Sequence, residues 1–288
     1  MPELPEVEVV KKSLKKTIYD LKIKNIEIPN KSLRYKINEK LMKEMIGSKV
    51  LSVSRRSKYI LINLNNTFTI MVHLGMTGKI IITGADKKKY KTSFYYNLTD
   101  NKSKHDHLLL KFNKNILLTY NDVRKFGFIK ILKTKKLYSS SHLYKLGPEP
   151  LSKRFDFHYF KNNVTKRQVC LKDLLMNQKF IAGLGNIYVN EALFLSKINP
   201  KVRSNKIPLK KIKPLVSNIK RVLKKAIKAG GSSIQNFNNI KGKKGKFQQF
   251  FNVYGKQGNF CSRPNCIGVI KRIWISNRST FFCDKCQK

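Results

Sequence analysis

Acidic residues are scarce in this chain: 16 Asp and Glu stand against 61 Lys and Arg in 288 residues, a formal net charge of +45. Such an imbalance speaks about partners rather than about fold. It excludes a cation as the natural ligand and favours a polyanion, of which nucleic acid is the commonest. Long apolar runs are also missing. No stretch reaches eighteen apolar residues, so no membrane-spanning helix is expected. The opening MPELPEVEVV lacks the basic start and apolar core of a signal peptide, which predicts a cytosolic protein. Disulfides are then not expected among the five cysteines. No internal repeat is visible. At 41% hydrophobic residues the chain has enough apolar side chains for a buried core, and its length allows two compact domains. The abundance of Lys, Asn and Ile also reads as a bias of the whole proteome, so part of the positive charge is drift.

The patterning is α+β. Pro5, with Glu6 and Glu8 after it, suits the start of a helix whose apolar positions are Val7, Val10 and Leu14. A short helix from Asn38 to Ile46 stops at Gly47. Strands are predicted at Tyr59–Leu64, Phe68–Leu74, Ile80–Thr83, His107–Phe112, Ile116–Tyr120 and Phe128–Leu132, a spacing that predicts an antiparallel sandwich or barrel. The lysine-rich stretch 85–104 reads as an exposed, mobile loop, and Leu146–Pro150 as a linker. Helices follow at Val169–Met176, from an Asn186 cap to Ser196, and over Ile212–Ile227 up to Gly230. Residues 231–246 read as a loop, and the tail from Phe247 as strand-like.

Four cysteines close the chain as Cys261-x4-Cys266 and Cys283-x2-Cys286, sixteen residues apart. Two close thiol pairs on a hairpin-like segment suit one structural Zn²⁺ in a closed tetrahedral site. So short and basic a tail lacks a core of its own, which weighs against four unliganded buried cysteines. Cys170, beside Leu171 and Leu174, reads as core. At the other end, removal of Met1 would expose Pro2 as a secondary amine, with Glu3 beside it. A free amine can attack an electrophilic carbon, and an adjacent carboxyl can move the proton. Read from residues alone, the pattern is better explained as a helix entry in which proline and acids serve capping.

Further segments carry a resemblance. MPELPEVE, Ser57-Lys58-Tyr59, His73-Leu74-Gly75-Met76-Thr77-Gly78, Lys104-His105-Asp106-His107, Asp122-Val123-Arg124-Lys125-Phe126-Gly127, Leu174 to Tyr188, Gly230-Gly231-Ser232-Ser233, Val253-Tyr254-Gly255 and Asn277-Arg278-Ser279-Thr280 follow one another in order along the whole chain. Together they resemble the formamidopyrimidine-DNA glycosylases, bacterial base-excision enzymes for oxidised purines. The resemblance implies an N-terminal antiparallel β-sandwich (1–135), a linker (136–150), a helix–two-turn–helix domain with a lesion-capping loop (151–245) and a β-hairpin zinc finger (246–288). It implies a monomer that lays duplex DNA containing oxidised purines or abasic sites across the cleft between two domains and flips the damaged nucleotide out. Pro2 would be the nucleophile, Glu3 the proton shuttle, and Lys58 a further acid. Arg278 would pin phosphates around the lesion and aid the second elimination. Met76, Arg124 and Phe126 match the trio that fills the gap left by the flipped nucleotide. His73, His105, Lys172 and Asn186 match positions near phosphates or the extruded nucleotide.

Two positions depart from the family pattern: the first cysteine pair is wider than its common two-residue spacing, and Asn277 stands for a common glycine, which Asn can replace because it tolerates left-handed backbone angles. The related endonuclease VIII type, selective for oxidised pyrimidines, typically opens Pro-Glu-Gly-Pro-Glu, whereas this chain has Leu4. A non-catalytic zinc-finger protein binding DNA or RNA would fit the charge and cysteines equally well and needs neither Pro2 nor Glu3. For any binder neutralising several phosphates, affinity is expected to fall steeply with added salt. A flat salt dependence in a fluorescence-anisotropy titration with duplex DNA would overturn the phosphate-contact reading.

Overall fold

The computed structural model describes residues 2–93, 103–232 and 249–288. The chain divides into two units, Met1–Tyr144 with Ala229–Gln248, and Lys145–Lys228 with Gln249–Lys288.

In the first unit, helix α1 (Leu4–Ile18) begins with a capping box in which Glu3 N–H donates to Glu6 Oε2 at 2.8 Å. Its buried stripe of Val7, Val10, Leu14 and Ile18 faces the core. Strand β1 (Ile23–Glu27) and the short helix α2 (Glu39–Lys43), capped by Asn38, come next. The strands β2 (Val50–Arg56), β3 (Tyr59–Leu64), β4 (Phe68–His73), β5 (Lys79–Thr83), β6 (Lys89–Lys91), β7 (Asp106–Phe112), β8 (Leu117–Asn121) and β9 (Phe128–Lys133) follow. They form two antiparallel sheets, β1-β7-β8-β5-β6 and β2-β3-β4-β9. One apolar core joins α1 to residues of both sheets, Ile60, Ile70 and Val72 from one and Ile80, Leu108 and Tyr120 from the other. The antiparallel sandwich expected from strand spacing is therefore present.

In the second unit, α3 (Phe157–Val164), α4 (Leu171–Met176), α5 (Asn186–Leu195) and α6 (Leu209–Lys228) precede a hairpin of β10 (Ile270–Ile275) and β11 (Arg278–Cys283). The α6 stripe of Ile212, Leu215, Val216, Ile219, Val222, Leu223 and Ala226 is buried at helical spacing. The hairpin turn is Ser276-Asn277, both at positive φ (47° and 58°), so Asn277 does adopt the left-handed geometry.

Several expectations need correction. β1, β2 and α3 were not predicted: in β1 only Ile23 and Ile26 are fully buried, a spacing that does not alternate. Part of the 85–104 stretch is strand β6, which adds an edge to the larger sheet through β5; residues 94–102 lie outside the described ones. The loop expected over 231–246 lies outside them from residue 233 onward. Asn186 is the first helical residue and Gly185 the cap. Cys170 is the partly exposed cap residue of α4, donating to the Pro200 carbonyl, and not core. Within Leu146–Pro150, Gly147 N–H donates to the Gln178 carbonyl, and the Pro148 carbonyl accepts from Ala182 N–H, which leaves the linker reading open.

Candidate functional site

The start of the chain is fixed rather than frayed. Pro2 is buried and Glu3 is 3% exposed. The Glu6 carboxyl group accepts from Glu3 N–H through Oε2, and from the N–H (2.7 Å) and hydroxyl (3.0 Å) of Ser232 through Oε1. Two residues further along α1, Glu8 accepts from Arg55 Nε at 2.8 Å, and Arg55 Nη1 donates to the Ser57 carbonyl at 2.7 Å. Burial opposes ionisation of Glu8, but hydrogen bonds from Lys11 and Arg55 outweigh it and hold the carboxyl below its usual range. The N-terminal helix is thereby tied to the two-residue turn Ser57-Lys58 between β2 and β3, in which Lys58 is buried.

The charge of Lys58 reaches His73 at the end of β4. Burial, with the positive charges of Lys58, Arg34 and His142 adding to it, pushes His73 down to about 4, so its ring is neutral at physiological pH. That ring stacks on Phe128 (centroids 5.3 Å apart) and touches Tyr59 (5.1 Å). His73 also opens onto a pocket of about 530 Å³ lined by Arg34, Gly75, Met76, Arg124, Lys125 and Phe126. Met76 (40% exposed) and Phe126 (46%) stand out from the surface, and the Arg124 guanidinium lies 4.6 Å from the Phe126 ring centroid. Exposed apolar side chains beside cations can stack on a base while neutralising a phosphate. His105 ends a short 3₁₀ turn, and its carbonyl accepts from Asp122 N–H. The structure thus brings His73, Met76, Arg124 and Phe126 to one pocket, with Lys58 behind it.

In the second unit Lys172 is held by the chain's own backbone. It is 1% exposed, and its ammonium donates to Thr280 Oγ1 (2.5 Å), the Ser279 carbonyl (3.4 Å) and the Arg278 carbonyl (3.5 Å). Burial is the main cause that lowers it to about 8. Asn186 Nδ2 donates to the same Ser279 carbonyl at 2.9 Å. Both side chains bond the backbone of the strand that carries exposed Arg278 and hold β11 from within. Glu191, buried on α5, accepts from the backbone N–H groups of Asn252, Val253 and Tyr254, which docks the segment leading into the finger.

Cys261, Cys266, Cys283 and Cys286 hold their Sγ atoms within 4.8 Å of one another. Two of the separations are 3.8 Å (Cys261–Cys286) and 3.6 Å (Cys266–Cys283). Tetrahedral Zn–S bonds of about 2.3 Å place sulfurs roughly 3.8 Å apart, so the donor set fits. The wider knuckle is put to use: Arg263 within it donates to the Phe194 carbonyl at 2.8 Å and lies over that ring. On β10 the chain's single tryptophan, Trp274, is exposed beneath the Arg272 guanidinium.

Family models for the formamidopyrimidine-DNA glycosylase N-terminal domain and H2TH domain match residues 1–129 and 146–238. A formamidopyrimidine-DNA glycosylase from Ruegeria sp. is 39% identical over 288 residues, covering all of both chains, and one from Rickettsia canadensis is 39% identical over 287 residues, covering all of this chain and 99% of its own. The chain belongs to the formamidopyrimidine-DNA glycosylase family. Among solved structures, Lactococcus lactis Fpg in complex with abasic-site DNA is 38% identical, with a TM-score of 0.84 and full coverage of both chains. A variant of the same protein with Fapy-dG DNA gives 0.86 at the same identity and coverage.

Within this glycosylase fold, sequence reasoning missed several residues. Glu6 was visible only as a capping acid, and the E-x-x-E spacing of the capping box was its one signal. Arg34, which lines the pocket and whose N–H donates to the Gly127 carbonyl, sits in a segment without periodicity. Thr77 and Asp122 lie inside quoted motifs, but nothing in their spacing reveals that they meet.

The depressed His73 has a stability consequence. Between about pH 6.5 and pH 4 the unfolded chain binds a proton that the folded chain excludes, so this contribution to stability is present at neutral pH and is lost as pH falls through that window. Thermal melts at pH 6.5 and 4.5 are expected to show a smaller acid-induced drop in Tm for His73→Phe than for the wild type. An equal drop would contradict the neutral ring.

Proposed function

We propose that the chain is a bifunctional DNA glycosylase and AP lyase that removes 8-oxoguanine paired with cytosine, and ring-opened formamidopyrimidines, from duplex DNA. Removal of Met1 leaves the Pro2 nitrogen as a secondary amine. It attacks C1′ of the extruded nucleotide, the glycosidic bond breaks, and the base departs with a proton. The C1′–O4′ bond then opens, O4′ taking up a proton as the nitrogen lone pair forms the iminium, which loses a proton from C2′, and β- then δ-elimination cuts the strand on both sides of the sugar. Glu3 shuttles protons, Lys58 supplies a further acid, and Arg278 holds the phosphates. Met76, Arg124 and Phe126 fill the gap in the duplex, His73 and His105 meet the backbone near the lesion, and Lys172 and Asn186 lie near the phosphates or the extruded nucleotide while bonding the backbone at and just after Arg278.

The observation that carries this reading is the construction of the chain start. Termini fray unless tied down, whereas Pro2 and Glu3 are buried and fastened through Glu6 to Ser232, and through Glu8 and Arg55 to the turn bearing Lys58. Capping alone would need neither tie. Cys261, Cys266, Cys283 and Cys286 would hold one Zn²⁺, whose chemistry is to cross-link the two ends of the finger and keep Arg278 presented. The relatives solved with DNA and the excess of cations over acids support duplex DNA as the partner.

Borohydride trapping on a duplex with one 8-oxoguanine opposite cytosine tests the reading. A covalent adduct and strand scission are expected, with neither in a form that retains Met1. Preference for a thymine glycol duplex would assign the pyrimidine-directed activity instead, and tight binding with no adduct would leave a non-catalytic DNA-binding protein. Cys283→Ser is expected to lose zinc, read by metal analysis, and duplex affinity together; full affinity without zinc would sink the structural role of the finger.

A further inference from the structure

The two loops that carry Met76 and the Arg124–Phe126 pair approach each other backbone to backbone. A Cβ on Gly75, which has φ +58°, would fall 2.4 Å from Gly127 N, and one on Gly127 would fall 1.9 Å from the Tyr120 hydroxyl. Glycine at both positions is what permits this contact. Between the loops lies Asp122, fully buried. Its Oδ1 accepts from the Thr77 hydroxyl at 2.5 Å, and its Oδ2 accepts from Gly127 N–H at 2.8 Å. The same Thr77 oxygen accepts from Arg124 N–H at 3.1 Å. Each loop is therefore hydrogen-bonded to the other through one hydroxyl and one carboxyl group.

Asp122 is itself held from behind. Its N–H donates to the His105 carbonyl, and its carbonyl meets His107 Nε2 at 3.0 Å. Tyr120 donates its hydroxyl to the His73 carbonyl at 3.1 Å. Burial, with the Asp122 carboxyl group beside it, pushes the Tyr120 phenol well above its usual value, so it remains a donor. All of these groups belong to the first unit and none is needed for proton transfer or attack on the sugar.

We propose that the Thr77–Asp122 pair is a positioning clamp that makes Met76, Arg124 and Phe126 one rigid wedge, so that entry into the gap left by an extruded nucleotide costs no ordering of two separate loops. This rests on the proposed function, in which those three side chains fill that gap. An ordered loop inserts without the entropy cost that two independent loops would meet on binding. Thr77 is the more informative position for substitution. Valine keeps its shape and removes both of its hydrogen bonds, whereas serine keeps the hydroxyl.

Single-turnover excision of 8-oxoguanine from duplex DNA is compared with cutting of a single-stranded oligonucleotide carrying a preformed abasic site, which has no opposite strand and no gap to fill. Thr77→Val is expected to slow duplex excision by about tenfold or more, as two lost hydrogen bonds allow, while single-strand cutting stays within about twofold. Thr77→Ser is expected to recover most of the duplex rate. A second readout needs no chemistry: 2-aminopurine opposite a tetrahydrofuran abasic analogue changes emission as the wedge enters, and the change is expected to shrink in Thr77→Val at saturating protein. Equal losses on both substrates would reduce Thr77 to a general structural role and overturn the clamp, as would an undiminished duplex rate. If the wild type neither cuts nor changes the emission, the proposed function fails and the clamp with it; wild-type cutting with an unaffected valine variant overturns the clamp alone.

Discussion

The Glu6 carboxyl group sits at 1% exposure and takes three hydrogen bonds, one from Glu3 N–H and two from Ser232. A buried acceptor stripped of its donors costs about 1–3 kcal/mol, more if it is charged, so the two segments that satisfy it are constrained together. These segments are 226 positions apart in sequence. One is the beginning of the chain, where the nucleophile is proposed, and the other is the Gly230-Gly231-Ser232 stretch that follows α6. A Cβ at Gly231 would come within 3.1 Å of Glu6 Oε1, at a φ of +85° that few other residues adopt. The same carboxyl group thus ties the stretch after Gly230 to the entry of α1.

Acids are few in this protein, and the structure assigns several of them to interior work. Glu3, Glu6, Asp122 and Glu191 are all buried, and Glu8 is paired with Arg55 and Lys11. Glu191 gathers three backbone donors ahead of the finger, much as Asp122 gathers Thr77 and Gly127 in the sandwich. Carboxyl groups placed inside cannot neutralise lysines outside. The surface potential is consequently more one-sided than the residue count alone conveys, which suits a protein that must meet a phosphate backbone before it reads anything else.

β3 and β4 were legible as short apolar runs bounded by turn residues, since consecutive residues of both are buried, and most of the helices because apolar periodicity records burial on one face. β1 was not, because its two buried isoleucines are three residues apart and lysine and asparagine lie between them. The cysteine set was legible from spacing, since a tetrahedral donor group leaves a local signature. The bonds of Lys172 to Thr280, Ser279 and Arg278 were not legible, because they join segments more than a hundred positions apart. Thr77 and Asp122 could not be placed, and Glu6 only as a capping acid, because the Thr77–Asp122 and Glu6–Ser232 bonds join segments far apart in sequence.

Trp274 carries one more implication. Being the chain's sole indole, and lying on the ribbon that also bears Arg278, it makes intrinsic ultraviolet emission a property of the finger alone when excitation is set beyond tyrosine absorption. The protein therefore contains a native optical probe in its smallest subdomain, one that would register unravelling of that ribbon or stacking by a nucleobase without any attached dye.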